Sequence, residues 1–485
     1  MNFRVMRNII GKIMILLSIF MILPLIVSLV YKEGLRNYLA FLIPGLCTYG
    51  IGYLLSFKKN KDIKMGAKEG FIIVGFSWIV ISLIACVPFI INKDIPNFFN
   101  AFFETVSGFT TTGASVIDVT KVSNSTLFWR SFLHWIGGMG VLVFILAVIP
   151  ESSEGSSMHI LRAESPGPQV GKLVSKMKLT SRYLYLIYLG LTLIEFLLLY
   201  LGPDKEMKFF NSLIYSLGTA GTGGFSMDPY GLEFYGVYSQ YVISIFMFIF
   251  GINFNVFYLI LIKKFSDILK MEEVRAYFII IIVATILIAL DIMAMYENFG
   301  EALRYSFFQV STVITTTGFT TANFAAWPTF AKIILLFLMV IGACAGSTAG
   351  GFKISRMLIL SKSSVTDLRK MLHPRQIIKT KLGGDVLSEE TIRNTKTYLV
   401  AYVGIIIASV LLISIEGYGG IETNLSAVLA CFNNIGPGLE LVGPLGNYSG
   451  YSNFSTLVLT INMLAGRLEI FPILLLFTPT TWRKN

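Results

Sequence analysis

Charged residues are scarce in this chain. Only 14% of its 485 residues are Asp, Glu, Lys or Arg, whereas a soluble domain carries about 25%. Cysteine is scarce too, and Cys47, Cys86, Cys344 and Cys431 lie far apart in apolar stretches, which excludes a disulfide scaffold. Hydrophobic residues make up 54%, and the mean hydropathy is +0.71. The composition predicts a membrane protein with about ten spans.

Histidine is equally scarce. His134, His159 and His373 show no metal-ligand spacing, and few acids fall within apolar runs. A membrane-embedded transferase would need clustered His, Asp or Glu facing one leaflet, so the sequence does not favour an enzyme. The first apolar stretch is as long as a full span and has no small-residue cleavage site. We therefore expect no cleavable signal peptide.

Apolar runs of spanning length recur along the whole chain. An even number of spans places both termini on one side, and lysine and arginine indicate which side. Connections on the side of the termini hold 29 of the 39 basic residues, and the opposite side holds nine. We therefore predict cytoplasmic termini, and the net charge of +11 needs no nucleic acid partner. The predicted spans are 12–31, 36–56, 70–92, 127–149, 180–202, 237–262, 275–296, 329–361, 395–415 and 452–478.

One plan repeats four times after the first two spans. It consists of a span, a shorter semi-apolar segment, a Thr- and Gly-rich turn, and a second span. Each middle segment lies on the outer side and is too short to span, as a re-entrant helix with an extended return would be. The segments end at Gly113, Gly223, Gly318 and Gly436. The predicted units are an N-terminal two-span hairpin (1–60) and repeats 1 (61–150), 2 (151–268), 3 (269–380) and 4 (381–485).

The sequence thus predicts an all-α polytopic membrane protein, with four membrane–pore loop–membrane repeats in pseudo-fourfold arrangement around one ion pore. Backbone carbonyls in such loops can replace the water shell of a cation. Glycine allows four backbones to approach one axis without a Cβ clash, and helix C-termini are partly negative. The candidate filter residues are Thr111, Thr112, Gly113, Thr222, Gly223, Thr316, Thr317, Gly318, Asn434, Ile435 and Gly436.

Seven motifs together resemble one known family. They are SGFTTTGAS (107–115), GTAGTGGFS (218–226), TTTGFTTANF (315–324), FNNIGPGLE (432–440), HWIGGMG (134–140), GSTAGGFKISR (346–356) and LAGRLEIFP (464–472). The chain resembles the potassium-transporting membrane subunit of the Trk/Ktr/HKT superfamily over nearly its whole length. Its two extra N-terminal spans are typical of the Trk branch.

The resemblance implies potassium as the transported ion and a homodimer in the bacterial cytoplasmic membrane. It also implies that the filter glycines favour potassium over sodium. The second and fourth loops depart from TTTG, so the filter cannot be truly fourfold. A cytosolic ring of regulatory subunits would bind ATP, ADP or NAD(H), while this chain would bind no nucleotide itself. A sodium- or proton-coupled potassium symporter remains the alternative.

The predicted span 329–361 is too long for one crossing. Its 33 residues would extend about 50 Å as a helix, against a hydrocarbon core of about 30 Å. The glycine-rich run 342–351 within it is either a small-residue packing face or a break in the helix. The resemblance implies a break that forms an intramembrane gate. The candidate gate residues are Gly346, Ser347, Thr348, Ala349, Gly350 and Gly351.

Arg467 lies near the middle of the last predicted span. A charge there is costly and usually faces a partner or a wet cavity. Arg467 either pairs with a carboxylate such as Glu469 or Glu440, or it faces the pore as a barrier to cations; we favour the pore. The resemblance implies an arginine at this place.

The longest non-apolar stretches on the cytoplasmic side, 151–179 and 362–394, are basic. They either contact lipid headgroups or, as the resemblance implies, receive the regulatory ring.

Overall fold

The computed structural model describes residues 3–57, 67–140, 177–376 and 378–478. These residues form an almost wholly helical chain with one short hairpin. The helices are α1 Phe3–Phe20, α2 Ile22–Val30, α3 Leu35–Ser56, α4 Ala67–Ala85, α5 Val87–Ile91, α6 Phe98–Phe109, α7 Asn124–Gly138, α8 Met177–Tyr200, α9 Phe209–Gly221, α10 Val237–Phe250, α11 Phe254–Leu261, α12 Phe265–Lys270, α13 Glu272–Ile292, α14 Phe299–Ile314, α15 Thr329–Ile341, α16 Ile354–Leu372, α17 Glu389–Ser414, α18 Ile421–Phe432, α19 Asn453–Arg467 and α20 Ile470–Phe477. Strands β1 Lys381–Leu382 and β2 Asp385–Val386 pair antiparallel.

Six helical segments of the described residues are long and apolar enough to cross a membrane. They are Met6–Val30, Leu35–Ser56, Ile72–Ile91, Arg182–Tyr200, Glu272–Met295 and Glu389–Ser414. Their outward faces carry exposed large apolar side chains, for example Leu54 and Val400, which suits a lipid environment. The predicted all-α polytopic membrane fold is therefore confirmed.

The predicted span 237–262 is bent rather than straight. Helices α10 and α11 meet at an angle of 91°, because the segment between them bonds to residues far along the chain. The Gly251 carbonyl accepts from the Cys344 amide (3.2 Å), and the Phe254 amide donates to the Gly346 carbonyl (3.0 Å). The Asn253 side chain caps α11 by accepting from the Asn255 amide at 2.9 Å. The bend therefore forms where the glycine-rich run 342–351 is bound.

Two other predicted spans are also interrupted. The 329–361 span consists of α15 and the start of α16, separated by non-helical residues 342–353; this is the break that the resemblance implied. The 452–478 span divides after Arg467, because Glu469 has φ of 66° and cannot continue a helix. Within the predicted span 127–149, α7 ends at Gly138, and residues 141–149 lie outside the described residues.

Four short helices lie within the protein rather than across it. Helices α6, α9, α14 and α18 have 12, 13, 16 and 12 residues, and in each the C-terminal half is buried. Side-chain caps fix two of their starts: Asn97 accepts from the Phe99 amide at 2.8 Å, and Asn298 accepts from the Glu301 amide at 2.9 Å. Each short helix is followed by a non-helical segment, so the four predicted middle pieces have the expected form.

Candidate ion pathway

The four short helices end with the same hydrogen-bond pattern. In each, an amide two or three residues after the end of the helix donates to a carbonyl five residues earlier, as in a Schellman motif. The residue before it has left-handed backbone geometry, with φ between 54° and 58°. The left-handed residues are Thr111, Thr222, Thr316 and Asn434. The bonds are Thr112 to Ser107 (2.8 Å), Gly223 to Gly218 (2.9 Å), Thr317 to Thr312 (2.8 Å) and Ile435 to Ala430 (2.8 Å).

This backbone geometry is unusual for these residues. Glycine is the common choice at a left-handed helix end, whereas a β-branched residue with positive φ is strained. Three threonines adopt it here, at the same position in three separate loops. Such strain persists only where the surroundings impose it, and it concentrates at functional sites.

The left-handed residues also fix which glycines are equivalent. Two residues after Thr111, Thr316 and Asn434 stand the predicted filter glycines of loops 1, 3 and 4. Two residues after Thr222 stands Gly224, not Gly223. The predicted register of loop 2 is therefore wrong by one residue, because Gly223 takes the place that threonine or isoleucine takes in the other loops. The equivalent glycines, which we call the glycine ring, are Gly113, Gly224, Gly318 and Gly436.

The glycine ring closes on itself. A Cβ added to Gly113 would stand 2.7 Å from the Gly224 amide nitrogen, and one on Gly224 would stand 2.5 Å from the Thr317 carbonyl oxygen. A Cβ on Gly318 would meet the Ile435 carbonyl oxygen, and one on Gly436 would stand 2.7 Å from the Thr112 carbonyl oxygen. Each loop thus packs its glycine on the backbone of the next, and loop 4 returns to loop 1. Only glycine permits this close approach.

A cavity of about 260 Å³ opens above the glycine ring, and all four ring glycines line it. Asp118 and Asp228 lie in its wall. A side-chain hydrogen bond from Lys121, followed by bonds from Thr120, lowers the pKa of Asp118 to about 2. Asp118 therefore stays negatively charged at neutral pH.

Loop 4 departs from fourfold symmetry. The Tyr448 hydroxyl donates to the Gly436 carbonyl at 2.7 Å, so the orientation of this carbonyl is fixed from one side. The Asn434 side-chain amide donates to the Thr112 hydroxyl (2.9 Å) and to the Met463 carbonyl (3.0 Å). The asparagine thereby ties loop 4 to loop 1 and to α19.

The glycine-rich run 342–351 lies against the inner ends of loops 3 and 4. Its Gly350 amide donates to the Thr316 hydroxyl at 2.7 Å, and a Cβ on Gly350 would stand 3.1 Å from the Asn434 Cβ. The Thr348 hydroxyl donates to the Phe250 carbonyl at 3.3 Å. Thr348 and Ala349 are almost fully buried. The run is therefore a non-helical loop packed beneath the ring, not a packing face on a continuous helix.

Comparison with known proteins identifies the family. A family model described as "Cation transport protein" matches residues 39–484. The chain belongs to this TrkH family. It is 34% identical to the Trk system potassium uptake protein TrkH of Escherichia coli K12, and 33% identical to that of Vibrio parahaemolyticus, with all of each chain covered. It also resembles the crystal structure of the potassium transporter TrkH from Vibrio parahaemolyticus, with a TM-score of 0.87, 31% identity and full coverage of both chains.

In this TrkH-family chain, Arg467 is the last residue of α19, so it lies at a helix end rather than inside a continuous helix. Its guanidinium donates to the carbonyls of Gly137 (2.5 Å), Gly138 (2.7 Å) and Thr348 (2.7 Å), and to the Thr111 hydroxyl (3.2 Å). The arginine therefore joins loop 1, the end of α7 and the candidate gate.

Glu469, one of the predicted carboxylate partners of Arg467, forms an ion pair with Arg356. The Arg356 guanidinium also lies 4.0 Å from the centre of the Tyr398 ring. Arg356 is the third residue of α16, the helix that follows the candidate gate. The ion pair therefore joins α16 to the start of α20. A second carboxylate, that of Glu273, accepts from the amides of Ala345 (2.6 Å) and Ser355 (3.2 Å), which lie on either side of the candidate gate 346–351. Carboxylates thus hold the chain both before and after the candidate gate.

Glu104 and Arg130 were not predicted as functional residues. Arg130 is one of the nine basic residues that the predicted topology assigns to the outer side, but it lies within α7 and is 1% exposed. Its Nε donates to the fully buried Glu104 carboxylate at 2.7 Å. The available signal was that Glu104 is the one charged residue of α6. For Gly224, the signal was the serine two residues after it, which matches Ser115 after Gly113.

Proposed function

We propose that this chain takes up potassium ions across the cytoplasmic membrane through the glycine ring. The ring and the residues before it in each loop would form a carbonyl-lined selectivity filter. Gly224 joins the predicted set as the glycine of loop 2. The proposed ion path leads from the cavity above the ring, through the ring, to the loop of residues 346–351 beneath it.

The observation that carries this proposal is the closed packing of four loops from four parts of one chain. Backbones that meet around an axis inside a membrane need polar partners, and a permeating cation supplies them. The relatives named above are called potassium uptake proteins. Their identity of about one third over the full length supports potassium as the ion.

The loop 346–351 is proposed as the gate. It is hydrogen-bonded to loop 3 and to Arg467, so a shift of this loop would alter the inner end of the filter directly. We further propose that a cytosolic ring of nucleotide-binding subunits moves it and that two copies of this chain form a dimer. The hairpin β1–β2 lies within the basic stretch 362–394, which we propose receives this ring. The Lys362 ammonium in α16 donates to the Lys381 carbonyl of β1 at 3.2 Å.

Complementation tests the proposal. A potassium-uptake-deficient bacterium that expresses this chain should grow at low potassium, and growth should depend on a co-expressed regulatory subunit. Failure to grow, with the protein confirmed in the membrane, would contradict potassium uptake.

Single-channel recording in a bilayer then separates a channel from the alternative, a sodium- or proton-coupled symporter. Discrete openings exceed the turnover of any carrier. Currents that require a sodium or proton gradient, without discrete openings, would favour the symporter.

A further inference from the structure

A second layer of side chains lies behind the glycine ring. The residue nine positions before each ring glycine occupies the same place in each short helix. These residues are Glu104, Tyr215, Gln309 and Ala427. All four are fully or almost fully buried, yet they differ in chemistry, so the four loops are supported in four different ways.

Repeat 1 has the strongest support. One oxygen of the Glu104 carboxylate accepts from the Ser115 hydroxyl (3.0 Å) and from Arg130 Nε (2.7 Å), and the other accepts from the Val116 amide (3.0 Å). Arg130 Nη2 also donates to the Ser115 hydroxyl at 3.0 Å. Ser115 and Val116 follow Gly113 by two and three residues. The ion pair therefore fixes the path of loop 1 as it leaves the ring.

Arg130 of the Glu104–Arg130 pair also contacts loop 2. The Arg130 guanidinium lies 3.9 Å from the centre of the Phe225 ring, and Phe225 directly follows Gly224. The His134 ring also contacts Phe225, with the two ring centres 4.3 Å apart. A cation over an aromatic face is attracted by the ring electrons. One ion pair thus contacts the exits of two adjacent filter loops.

The other repeats lack this arrangement. In repeat 2 the Tyr215 hydroxyl bonds the Ser226 hydroxyl at 3.2 Å. In repeat 3, neither polar atom of the Gln309 side chain has a hydrogen-bond partner among the described residues. In repeat 4 the position is Ala427, and the neighbouring Ser426 accepts from the Leu439 amide at 2.8 Å. A charge at this position is therefore not required to build a short helix and its loop.

We propose that the Glu104–Arg130 pair is a positioning element that sets ion selectivity by holding loops 1 and 2 in register with each other. The inference rests on the proposed filter. Burying an ion pair is no better for stability than well-packed apolar residues, whereas its charged hydrogen bonds are short and directional. The geometry of the loops, rather than the stability of the fold, is what this pair determines.

Glu104→Gln tests the proposal. It keeps the shape of the side chain but removes the charge that attracts Arg130. We expect the potassium-to-sodium permeability ratio, measured from reversal potentials in mixed salt, to fall about tenfold, the size expected for losing one charge-assisted hydrogen bond. Ser115→Ala and Phe225→Leu remove one contact of the pair with each loop, and each should lower the ratio by a smaller factor.

The matched control is Glu301→Gln. Glu301 also lies in a short helix, α14, and pairs with an arginine, Arg304, at 3.3 Å, but at the outer start of the helix and away from the loop. Its removal should leave the permeability ratio unchanged. A fall of the same size in this variant would overturn the proposal, because any lost ion pair would then suffice.

The outcomes separate this inference from the filter assignment. If Glu104→Gln does not fold, Ser115→Ala and Phe225→Leu decide the question. An unchanged ratio in folded variants, while Gly113→Ser alters it, would overturn the role of the ion pair and leave the filter intact. An unchanged ratio in Gly113→Ser as well would refute the filter itself.

Discussion

Arg467→Ala should increase potassium flux per inserted molecule. The arginine places one positive charge 3.2 Å from the Thr111 hydroxyl in loop 1 and holds the carbonyl of Thr348 in the proposed gate. Alanine removes the charge and the bond to the gate together. Both changes act in the same direction, because the first lowers a repulsive barrier and the second frees the loop beneath the ring.

The size of the charge effect follows from the geometry. A cation bound to the Thr111 hydroxyl oxygen would lie roughly 6 Å from the guanidinium, where an effective dielectric constant of 20 gives a repulsion of about 3 kcal/mol. This energy corresponds to about a hundredfold in ion occupancy, which is an upper limit for the increase in flux. Sodium flux should rise too, since a point charge acts on both ions.

The same substitution has a structural cost. The carbonyls of Gly137, Gly138 and Thr348 lose a donor, at about 1–3 kcal/mol each where water cannot replace it. Flux must therefore be measured in proteoliposomes per correctly inserted molecule, alongside the melting temperature. Arg467→Lys is the control, because it keeps the charge but cannot bond four acceptors at once. We expect it to destabilise the protein and to raise flux less than alanine does.

Two results would refute this reasoning. Equal flux in Arg467→Lys and Arg467→Ala would show that the charge is not the barrier and that only the hydrogen bonds to the gate matter. A large loss of stability without increased flux per molecule would show that Arg467 is structural and does not face the ion path.

Three further predictions concern the ring, the gate and its support. Gly224→Ser should weaken discrimination between potassium and sodium in reversal-potential measurements, because a Cβ there meets the Thr317 carbonyl. The control is Gly190→Ser, at a position with open space around its Cβ, which should leave the discrimination unchanged. An equal loss of discrimination in both variants would contradict the revised register of loop 2. Deletion within 346–351 should raise flux and reduce its dependence on the regulatory subunit; lower flux from protein still in the membrane would contradict a gate. Arg356→Gln should lower stability by about 1–3 kcal/mol in thermal unfolding, as expected for a partly exposed ion pair; an unchanged melting temperature would show that this pair does not hold the gate.

Hydropathy predicted the spans that are continuous helices. Helices α3, α8, α13 and α17 each lie close to a predicted span, because a long apolar run without interruption has no alternative structure in lipid. The bend at 251–253 and the break after Arg467 could not be predicted in this way. The bend depends on backbone hydrogen bonds to residues distant in sequence. The break depends on the left-handed conformation of Glu469, whose side chain pairs with the distant Arg356.

The register of loop 2 shows a different limit. Gly223 and Gly224 are adjacent, and the sequence does not say which residue has the left-handed conformation that precedes the ring. The structure decides it through Thr222 and the bond from the Gly223 amide to the Gly218 carbonyl. The Glu104–Arg130 pair was missed for a related reason. Its members are 26 residues apart, and nothing local marks them as partners.

The closed packing of the glycine ring makes the four loops thermodynamically coupled. Each ring glycine rests on the backbone of the next loop, so a displacement at Gly113 moves loop 2, and the shift passes through loops 3 and 4 back to its origin. Energies of substitutions in contacting sites do not add. Two serine substitutions in adjacent quadrants should therefore cost less together than the sum of each alone, since the first already relaxes the contact that the second disturbs. Four unlike loops could thus line the proposed ion path, because their backbones pack on one another in a closed ring while their side chains differ.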